Sequence, residues 1–409
     1  MFNTVKTTYT QKVYDSRLFE LSKESGEVYT QSLIFFHRVL RKKNIFLSEK
    51  SISRYIQIKV KRKFLHSQSY QASYQKFTDN LKSFYKAKKE WLKNPSKFSG
   101  KPKLTRKRKF FQPIQFKQSA IRFKNNYLEL SLAKGLEPLK FKWNITLSIP
   151  KFVSIVWNKD KRYWQLNSVI EKEIKQEVLN VNSTLAIDLG VKRIATTFDV
   201  TKTSITFSGK KIKSLIVGRN KINAKTQSKL SELKKGSRKY IKIRNANKKV
   251  NLRIENKIKD ILHKTSRTIV NYAKKKQISK IIIGNCSSIH TGINLGTKNN
   301  QQIQQNPEQR LRKYIEYKFR NIGGIVATIS ENYTSQTCPS CCNKYKPTNR
   351  IYKCSNCGFI DDRDVVGAKN IYKVSFGIDI KSKLDVIGFL TKPLGWKYKS
   401  NQNCKVNYV

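Results

Sequence analysis

Apolar and polar positions in the first quarter of the chain change from alternation to helical periodicity. Residues 1–13 alternate loosely and predict a strand that must pair with a later part of the chain. Asp15 then offers an N-cap for a helix that reaches about Lys43, and apolar side chains at helical spacing predict further helices at about 49–62 and 67–93. This part of the chain is therefore expected to be mainly helical.

A period of two replaces the helical period over residues 113–170. Pairs such as Ile114 and Phe116 recur along this stretch and are separated by short polar turns. Closely spaced short strands of this kind predict a small β-barrel or β-sandwich, which the strand at 1–13 can join. The charged stretch 171–182 that follows has little hydrophobic content and is predicted to be a linker.

A new pattern of apolar strands and long helices begins at residue 183. The stretch STLAIDLGVKRIATTFDV (183–200) predicts two strands around a glycine turn, with Asp188 inside the first apolar run. A polar loop is expected to lead from the next apolar strand to Pro307. The other predicted elements are two long helices at 210–276 that break near Gly236, an apolar strand at 280–284, a helix at about 308–322, a strand at 324–330 and a last helix that Asp364 opens.

The charge balance is extreme and points to a polyanionic partner. The chain has 409 residues, with 85 Lys and Arg against 26 Asp and Glu, for a formal net charge of +59. The stretch 210–276 alone has 23 Lys and Arg against three acids. Because so few acids cannot offset the repulsion, a nucleic acid covering much of the protein is the favoured explanation. No segment has the ~18 consecutive apolar residues of a membrane span, so we expect an intracellular protein without a membrane partner.

Two Cys-x-x-Cys pairs form the strongest local motif of the chain. Cys338 and Cys341 are followed, after twelve residues, by Cys354 and Cys357. Two such knuckles can each give two thiolates to one tetrahedral Zn²⁺, which predicts a structural zinc site in a reducing compartment. Cys342 can be a register-shifted ligand, but a bystander is favoured. The remaining cysteines are interpreted as ordinary thiols: Cys286 and Cys404.

Two stretches in the N-terminal half have side chains suited to nucleic acid. The predicted helix at 67–93 is both polar and aromatic, and its face can either enter a DNA groove or be a solvated face with a few core aromatics. The basic run KPKLTRKRK (101–109) is expected to be weakly structured and to contact phosphates. With Arg363 as a further phosphate contact, the predicted nucleic-acid-binding residues are Tyr70, Gln71, Tyr74, Gln75, Lys101, Lys103, Arg106, Lys107, Arg108 and Arg363.

Three acids stand at the edges of apolar elements in a chain that is short of acids. Asp188 lies in the first strand of the new pattern, Glu331 directly follows a later strand, and Asp364 opens the last helix. Two-metal nucleases need three or four such carboxylates at the ends of adjacent strands to hold two Mg²⁺ ions ~4 Å apart. The sequence therefore predicts a catalytic Mg²⁺ site formed by these three residues.

Four sequence elements, in this order and spacing, resemble a known family. They are AIDLGVKRIATT, HKTSRTIVNYA, YTSQTCPSC with YKCSNCG, and DRDVVGAKNI, and together they cover roughly residues 183–372. The chain is similar to the RuvC-like domain with zinc ribbon of the transposon-encoded TnpB nucleases and their eukaryotic relatives, the Fanzor proteins, which are kin of the type V CRISPR effectors. The N-terminal part matches only in layout, a barrel with a helical insertion.

The resemblance implies a fold class and a domain organisation. We expect α/β plus β-barrel architecture: an RNase H-like (RuvC) nuclease domain with an inserted four-cysteine zinc ribbon, and an N-terminal wedge-type β-barrel with an inserted helical recognition domain. The expected boundaries are 1–13 and 111–180 for the wedge β-barrel, 14–110 for the helical recognition insertion, 181–335 and 361–375 for the nuclease domain, 336–360 for the zinc ribbon and 376–409 for a basic C-terminal tail.

One position departs from the family pattern. Most of the family place the second catalytic acid directly after the strand that here ends in Gly284. Fanzor proteins and a TnpB lineage from transposons with a serine recombinase resemble this chain in having an acid just before the YTS motif, where Glu331 stands. The two strands concerned lie side by side in an RNase H-like sheet, about 4.8 Å apart, so Glu331 can reach the same metal pair. A relocated glutamate is favoured over a dead nuclease because Asp188 and Asp364 are both retained.

The resemblance also implies RNA-guided DNA cleavage. We expect a Mg²⁺-dependent endodeoxyribonuclease that uses a guide RNA from the transposon end and cuts double-stranded target DNA beside a short transposon-adjacent motif. Two Mg²⁺ ions and one structural Zn²⁺ are the expected cofactors. We expect a monomer or weak dimer, in the cytoplasm or nucleoid of a bacterium or the nucleus of a eukaryote. The alternatives are a nuclease-dead RNA-guided DNA-binding repressor and a DNA-binding accessory protein of a transposase that needs no RNA.

Overall fold

The chain folds into two compact units. The computed structural model describes residues 4–144, 148–159, 161–173, 180–199, 201, 203–285, 296–331, 334–345, 347, 349–375 and 394–396. Thr4–Glu173 form the first unit, and the described residues from Asn180 onward form the second. Cys286, Cys404 and the expected basic tail, apart from 394–396, lie outside the described residues. The helices of the described part include none that is long and apolar enough to cross a membrane.

Three helices and two antiparallel sheets make up the first unit, as the two periodicities predict. The N-terminal strand pairs along its whole length with the last strand of the unit, so the prediction that it joins the later strands is confirmed. The elements are β1 (Thr4–Val13), α1 (Leu18–Lys43), α2 (Glu49–Lys59), α3 (Ser67–Lys93), β2 (Ile114–Lys117), β3 (Ile121–Lys124), β4 (Tyr127–Leu130), β5 (Leu139–Lys142), β6 (Phe152–Asn158) and β7 (Tyr163–Glu173). The sheets have the orders β1-β7-β6-β2 and β3-β4-β5.

One hydrophobic core joins the helices of the first unit to both sheets. In β2, Ile114 and Phe116 are fully buried, whereas Gln115 and Lys117 beside them are half-buried, as a period of two requires. The same core includes Phe77 of α3. Burial of these alternating faces therefore fixes the register of the short strands.

The predicted linker at 171–182 is wrong at both ends. Glu171–Glu173 complete β7, and Asn180–Asn182 begin β8 (Asn180–Asp188), while 174–179 lie outside the described residues. The charged residues fit a strand because Glu171 forms ion pairs with Lys6 at 3.6 Å and Lys151 at 2.5 Å across the sheet. Charge alone was therefore a poor indicator of a linker.

A six-stranded mixed sheet organises the second unit. Its order is β12-β11-β8-β9-β10-β15, with β8 parallel to β11, β11 parallel to β12, and β9 antiparallel to both of its neighbours. The side-by-side, parallel arrangement expected for the strands at 280–284 and 324–330 is confirmed. The strands besides β8 are β9 (Arg193–Asp199), β10 (Ser204–Ser208), β11 (Ile278–Asn285), β12 (Ile325–Ser330) and β15 (Leu394–Trp396), and a separate hairpin consists of β13 (Ile351–Lys353) and β14 (Ile360–Asp362).

The helices of this unit confirm the periodic predictions and add one helix. The long pair α4 (Lys210–Ser231) and α5 (Arg238–Lys275) breaks at Gly236, and Ile258, Leu262 and Ile269 of α5 are buried as one face. The expected polar loop before Pro307 was wrong in part, because Thr297–Gln305 form a helix. Its sequence TKNNQQIQQ has a single apolar residue and so gives no hydrophobic period. The helices that follow α5 are α6 (Thr297–Gln305), α7 (Glu308–Arg320) and α8 (Arg363–Ser375).

Candidate active site

Asp188 stands at the edge of the sheet where three parallel strands end. The residues before it in β8, Leu185 to Ile187, are fully buried and hold the strand in the centre of the sheet. Burial, together with the negative charges of Glu331 and Asp364, raises the pKa of Asp188 well above its ordinary value. The three predicted carboxylates are therefore close enough to act on one another electrostatically.

Glu331 fills the space that a side chain at position 284 would need. Gly284 of β11 pairs with Ile329 of β12, so Glu331 lies two residues beyond the paired position. A Cβ atom built on Gly284 would be only 1.9 Å from Oε1 of Glu331 and 2.5 Å from its Cγ and Cδ. The missing side chain of β11 thus makes room for the glutamate that follows the neighbouring strand.

Asp364 is fixed in the first turn of α8 by hydrogen bonds and ion pairs. Its backbone N–H donates to Oδ1 of Asp362 at 3.0 Å, which caps the start of the helix. Its carboxylate pairs with Arg350 at 2.9 Å and with Arg193 at 3.4 Å, and Arg193 also pairs with Asp362. One turn later, a Cβ atom on Gly367 would lie 2.6 Å from Oδ2 of Asp188, so this glycine lets the helix approach the carboxylate of β8.

The donor set of the three carboxylates fits a hard divalent cation. Oxygen ligands are those that Mg²⁺ prefers. The raised pKa of Asp188 reflects its burial and, after that, the negative charges of Glu331 and Asp364, which a bound cation would offset. Among the described residues, the four cysteines are the set whose ligand atoms all lie within 4.8 Å of one another, and the three acids do not form such a set. A pair of ions about 4 Å apart accommodates such spacing, because the ligands then lie on different sides of the pair.

The four predicted cysteines form a compact tetrad. Their sulfur atoms all lie within 4.8 Å of one another, with 3.7 Å between Cys338 and Cys357 and 3.5 Å between Cys341 and Cys354. Four ligands at about 2.3 Å from a tetrahedral zinc ion would be separated by ~3.8 Å, so the cluster could hold Zn²⁺. Cys342 is outside this set and lies 3.8 Å from Nζ of Lys373, in agreement with its interpretation as a bystander.

One of the four thiols is already inclined to ionise. Burial alone would raise the pKa of Cys341, but hydrogen bonds from the backbone of Asn343 and from neighbouring thiols lower that pKa to about 6. Thiolates are the form that binds zinc. Tyr352 and Phe359 pack against the tetrad and form a small core with Val366 of α8.

Asp361 lies in the interior, beside the helix that follows it. It is 1% exposed and pairs with the buried Lys369 of α8 at 2.5 Å. The ammonium group of Lys369 also lies 5.6 Å and 5.5 Å from the ring centroids of Phe198 and Phe359. The pair joins β14 to α8, so its role is to hold the helix that begins with the catalytic candidate.

Lys369→Met is expected to lower the free energy of unfolding by about 3–5 kcal/mol, because it leaves the carboxylate of Asp361 buried without its counter-charge. Chemical denaturation followed by circular dichroism checks this. The matched control is Lys264→Met, since Lys264 pairs with Asp260 at an exposed site and should change stability by less than about 1 kcal/mol. Equal effects of the two substitutions would contradict the structural role of the buried pair.

Two residues near the carboxylates were not predicted from the sequence. Arg193 bridges Asp362 and Asp364, although a single arginine at the start of a strand is ordinary in so basic a chain. Glu308 is 7% exposed, and its charge contributes to the raised pKa of Asp188. Nδ2 of Asn306 donates to Oε2 of Glu308 and to the carbonyl of Gly190, at 3.2 Å each. The glutamate after Pro307 could have been flagged as a first-turn acid, but only its burial connects it with the site.

The predicted nucleic-acid face of α3 is partly internal. Tyr70 and Tyr74 are 6% and 2% exposed, the hydroxyl of Tyr70 donates to backbone carbonyls of α2 and its C-cap, and the hydroxyl of Tyr74 accepts from Ser53. Helical packing against α2 therefore makes these rings largely core residues, but Tyr70 and Tyr74 also line the open groove between α2 and α3, so their assignment to nucleic-acid binding stays a prediction. Gln75 is also engaged, with Glu49 and Lys117.

Gln71 keeps a position from which it can contact a ligand. It lines an open groove between α2 and α3 that is largely polar. The other groove residues include Ser53, Gln57, Arg62 and Gln68. The run at 101–109 contains the predicted basic residues Lys101, Lys103, Arg106, Lys107 and Arg108, and the last three of these are exposed. Arg363 is half-buried instead. It donates to the carbonyl of Pro347 at 3.4 Å, and its charge acts on Asp188.

Comparison with known proteins connects these features with one family. A family model described as a probable transposase matches residues 167–290, and one described as Cas12f1-like, TNB domain matches residues 309–371. The TnpB-like protein MJ0751 of Methanocaldococcus jannaschii is 33% identical over 144 residues, which are 35% of this chain and 51% of that protein. The putative RNA-guided DNA endonuclease InsQ of Escherichia coli is 26% identical over 220 residues, 51% of this chain and 53% of the relative. The matched region thus spans about half the length of these relatives.

A solved structure shares the fold over most of the chain. The cryo-EM structure of a Cas12f1-sgRNA-target DNA complex aligns with a TM-score of 0.56 at 16% identity, covering 86% of this chain and 81% of that one. The region of sequence similarity contains β8, β11 and the cysteine tetrad, which are the elements that hold or adjoin the three carboxylates. In its fold, its motifs and the sequence of residues 167–290 and 309–371, the chain is similar to TnpB-like proteins and to Cas12f1.

Proposed function

We propose that this chain is an RNA-guided DNA endonuclease of a transposon. It would cleave target DNA next to a short transposon-adjacent motif by two-metal-ion hydrolysis of a phosphodiester bond. The observation that carries the proposal is the carboxylate of Glu331 in the space left by Gly284, beside Asp188. The names of InsQ as a putative RNA-guided DNA endonuclease and of Cas12f1 as an endodeoxyribonuclease support the same activity.

Asp188, Glu331 and Asp364 would hold two Mg²⁺ ions, which supply an activated water and charge stabilisation at the leaving oxygen. The protein's contribution is position: β8 and β12 present two carboxylates from a rigid sheet, and α8 presents the third. Arg363, whose positive charge offsets part of the rise in the pKa of Asp188, is suited to a backbone phosphate of the DNA. The cysteine tetrad would take one structural Zn²⁺ and keep the start of α8 in place.

The alternative of a nuclease-dead RNA-guided repressor has less support. A chain that had lost its second acid would be under no constraint to place another carboxylate where the side chain at 284 is missing. In this chain Glu331 occupies that space, and Gly284 has no side chain to displace it. A DNA-binding accessory protein without RNA would likewise have no need of three converging acids.

The first unit would combine the wedge β-barrel, formed by the strands of Thr4–Val13 and of 111–180, with the helical recognition insertion at 14–110. The second would comprise the RuvC-like domain and the zinc ribbon at 336–360. The cations of α4 and α5 and the basic run at 101–109 are suited to the backbone of a guide RNA and of double-stranded target DNA. We propose a monomer or weak dimer.

Gln71→Ala is expected to change which flanking motif supports cleavage, because an amide in the groove between α2 and α3 is suited to reading a base edge. A plasmid library with a randomised flank, sequenced after cleavage, measures the preference. Loss of the amide should relax one position by about 5-fold to 100-fold, the range for one good side-chain–base contact. Gln115→Ala is the control, since Gln115 lies in β2 outside the groove, and an unchanged motif in Gln71→Ala would contradict the assignment.

The function itself is tested by sequencing the RNA that copurifies with the chain expressed with its flanking DNA. A defined transcript that ends in a variable guide segment is expected. The ribonucleoprotein with Mg²⁺ should then linearise a plasmid matched to that guide, and Asp188→Ala should bind the plasmid without cutting it. Matched binding without cleavage by the unmodified chain would support the repressor, and absence of any bound transcript would support the accessory protein.

A further inference from the structure

The basic run at 101–109 is not a free loop. The carbonyl of Thr105 is hydrogen bonded to Nε2 of His37 at 2.8 Å. The hydroxyl of Thr30 donates to the carbonyl of Lys109 at 2.8 Å and accepts from the N–H of the same residue at 3.0 Å. The run therefore follows α1 from its C-terminal towards its N-terminal half, held by side chains two turns apart.

The residues directly after the run are held even more closely. The hydroxyl of Ser22 donates to the carbonyl of Gln112 at 2.7 Å, and the N–H of Gln112 donates to the carbonyl of Ser22 at 3.0 Å. A Cβ atom on Gly26 would lie 2.4 Å from the carbonyl oxygen of Phe110. Glycine at this position of α1 thus lets the two backbones touch, and the segment lies flat on the helix.

Because the backbone of this segment is held on α1, the positions of its exposed side chains are also fixed. Arg106, Lys107 and Arg108 are exposed, with Phe110 next in line at 81% exposure. Phe111 is 46% exposed, and its ring centroid is 4.8 Å from that of Phe19, which is 54% exposed. Two exposed phenylalanines therefore follow three exposed cations on one ordered segment, and Phe19 of α1 packs against the second of them.

The chemistry of this surface selects its ligand. The exposed rings of Phe110, Phe111 and Phe19 are apolar surface whose removal from water would favour binding of a partner. An apolar protein surface would have to desolvate the neighbouring arginines and lysine without compensation. A single nucleic-acid strand satisfies both features, because its phosphates pair with cations and every base offers a flat π-face to an aromatic ring.

We propose that Phe110, next in sequence to Phe111 of the Phe19–Phe111 pair, is a stacking platform for an unpaired base of a nucleic-acid strand whose phosphates contact Arg106–Arg108. The proposal rests on the proposed nucleic-acid-guided function and adds a recognition element to it. The platform accepts any base, since stacking does not read hydrogen-bonding edges. It orients an unpaired stretch rather than a duplex, whose bases are already stacked.

Photocrosslinking tests the platform directly. The probe is a single-stranded oligouridylate in which one residue is 5-iodouridine. It is used with the chain of 409 residues after removal of copurified RNA by nuclease and high salt. The DNA counterpart, with 5-iododeoxyuridine, distinguishes an RNA from a DNA strand. Long-wavelength irradiation followed by peptide mass spectrometry is expected to place the crosslink on Phe110 or on the Phe19–Phe111 pair.

Affinity measurements with the same oligonucleotides complete the test. Phe110→Ala should weaken binding by about 10-fold to 100-fold, and Phe110→Trp should retain it. Phe46→Ala is the matched control, because Phe46 is 58% exposed in the same unit but has no cation as an immediate neighbour in the sequence. Its affinity should stay within about 2-fold of the unmodified chain.

These experiments distinguish failure of the stacking platform from failure of the proposed function. If the unmodified chain binds the oligonucleotides, but Phe110→Ala binds equally well and no crosslink maps to these rings, the platform is wrong and the proposed function stands. If the unmodified chain binds neither RNA nor DNA, the stacking platform and the proposed function are both wrong. If Phe110→Ala instead dissociates a dimer in sedimentation while binding is unchanged, the rings form an interface between copies and the platform is again wrong.

Discussion

Glu331→Ala will reduce DNA cleavage by about 1,000-fold, and adding Gly284→Glu to the same chain will restore a large part of it. The loss follows because a metal ligand supports several kcal/mol of charge stabilisation in the transition state, and each 1.36 kcal/mol is tenfold in rate. The recovery follows because a side chain at 284 projects into the space that Glu331 occupies. Single-turnover cleavage of a matched plasmid measures both.

The single substitution Gly284→Ala provides a second arm of this test. Its methyl group would stand 1.9 Å from Oε1 of Glu331, so the carboxylate must move and cleavage should fall even though all three acids remain. Glu316→Ala is the control, because Glu316 pairs with Arg320 on the exposed side of α7 and should leave the rate unchanged. Full cleavage by Glu331→Ala would falsify the assignment of the relocated ligand.

Cys354→Ser is expected to abolish binding of the proposed zinc ion and to unfold the segment between β12 and α8. The tetrad, Tyr352 and Phe359 are nearly all that holds this small core together, and structural zinc in small domains contributes about 10–16 kcal/mol of apparent binding free energy. We expect the zinc content to fall from one ion per chain to none. Limited proteolysis should then cut within 338–357, and cleavage activity should be lost because Asp364 is no longer fixed.

Cys342→Ser is the matched control for this prediction. It replaces the neighbouring thiol, which lies outside the tetrad, and should keep the full zinc content. Metal analysis of the purified chains, before and after dialysis against a chelator, compares the two variants. Equal zinc loss in both would mean that the register of the first knuckle is shifted to Cys342.

Strand and helix positions could be read from the sequence where the apolar period was strong. β1, β11, β12 and the break between α4 and α5 all fell close to their predicted places, because burial of an alternating or helical face is a local property of the sequence. α6 was missed since polar residues form most of it. The linker was misjudged because ion pairs across β7 cannot be seen in a one-dimensional charge pattern.

In the candidate site, some features also follow from the sequence and others depend on tertiary packing. Cysteine spacing fixes which thiols can meet, because two short knuckles bring their own pairs together. The burial of Tyr70 and Tyr74, by contrast, depends on how α3 packs against α2, and the bridging role of Arg193 depends on the approach of α8 to β9. Side chains from distant parts of the chain meet only through such packing.

By itself the sequence determined the residue types of this protein's chemistry: two acids and a third after a strand, four cysteines in two pairs, and a large excess of cations. Only the tertiary structure decided that Glu331 takes the place left by Gly284. That outcome depends on the parallel pairing of β11 with β12, which sets Gly284 opposite Ile329. A shift of one residue in this register would turn the side chains of β12 to the opposite face of the sheet. The pairing joins residues some forty-five positions apart, and no local pattern records it.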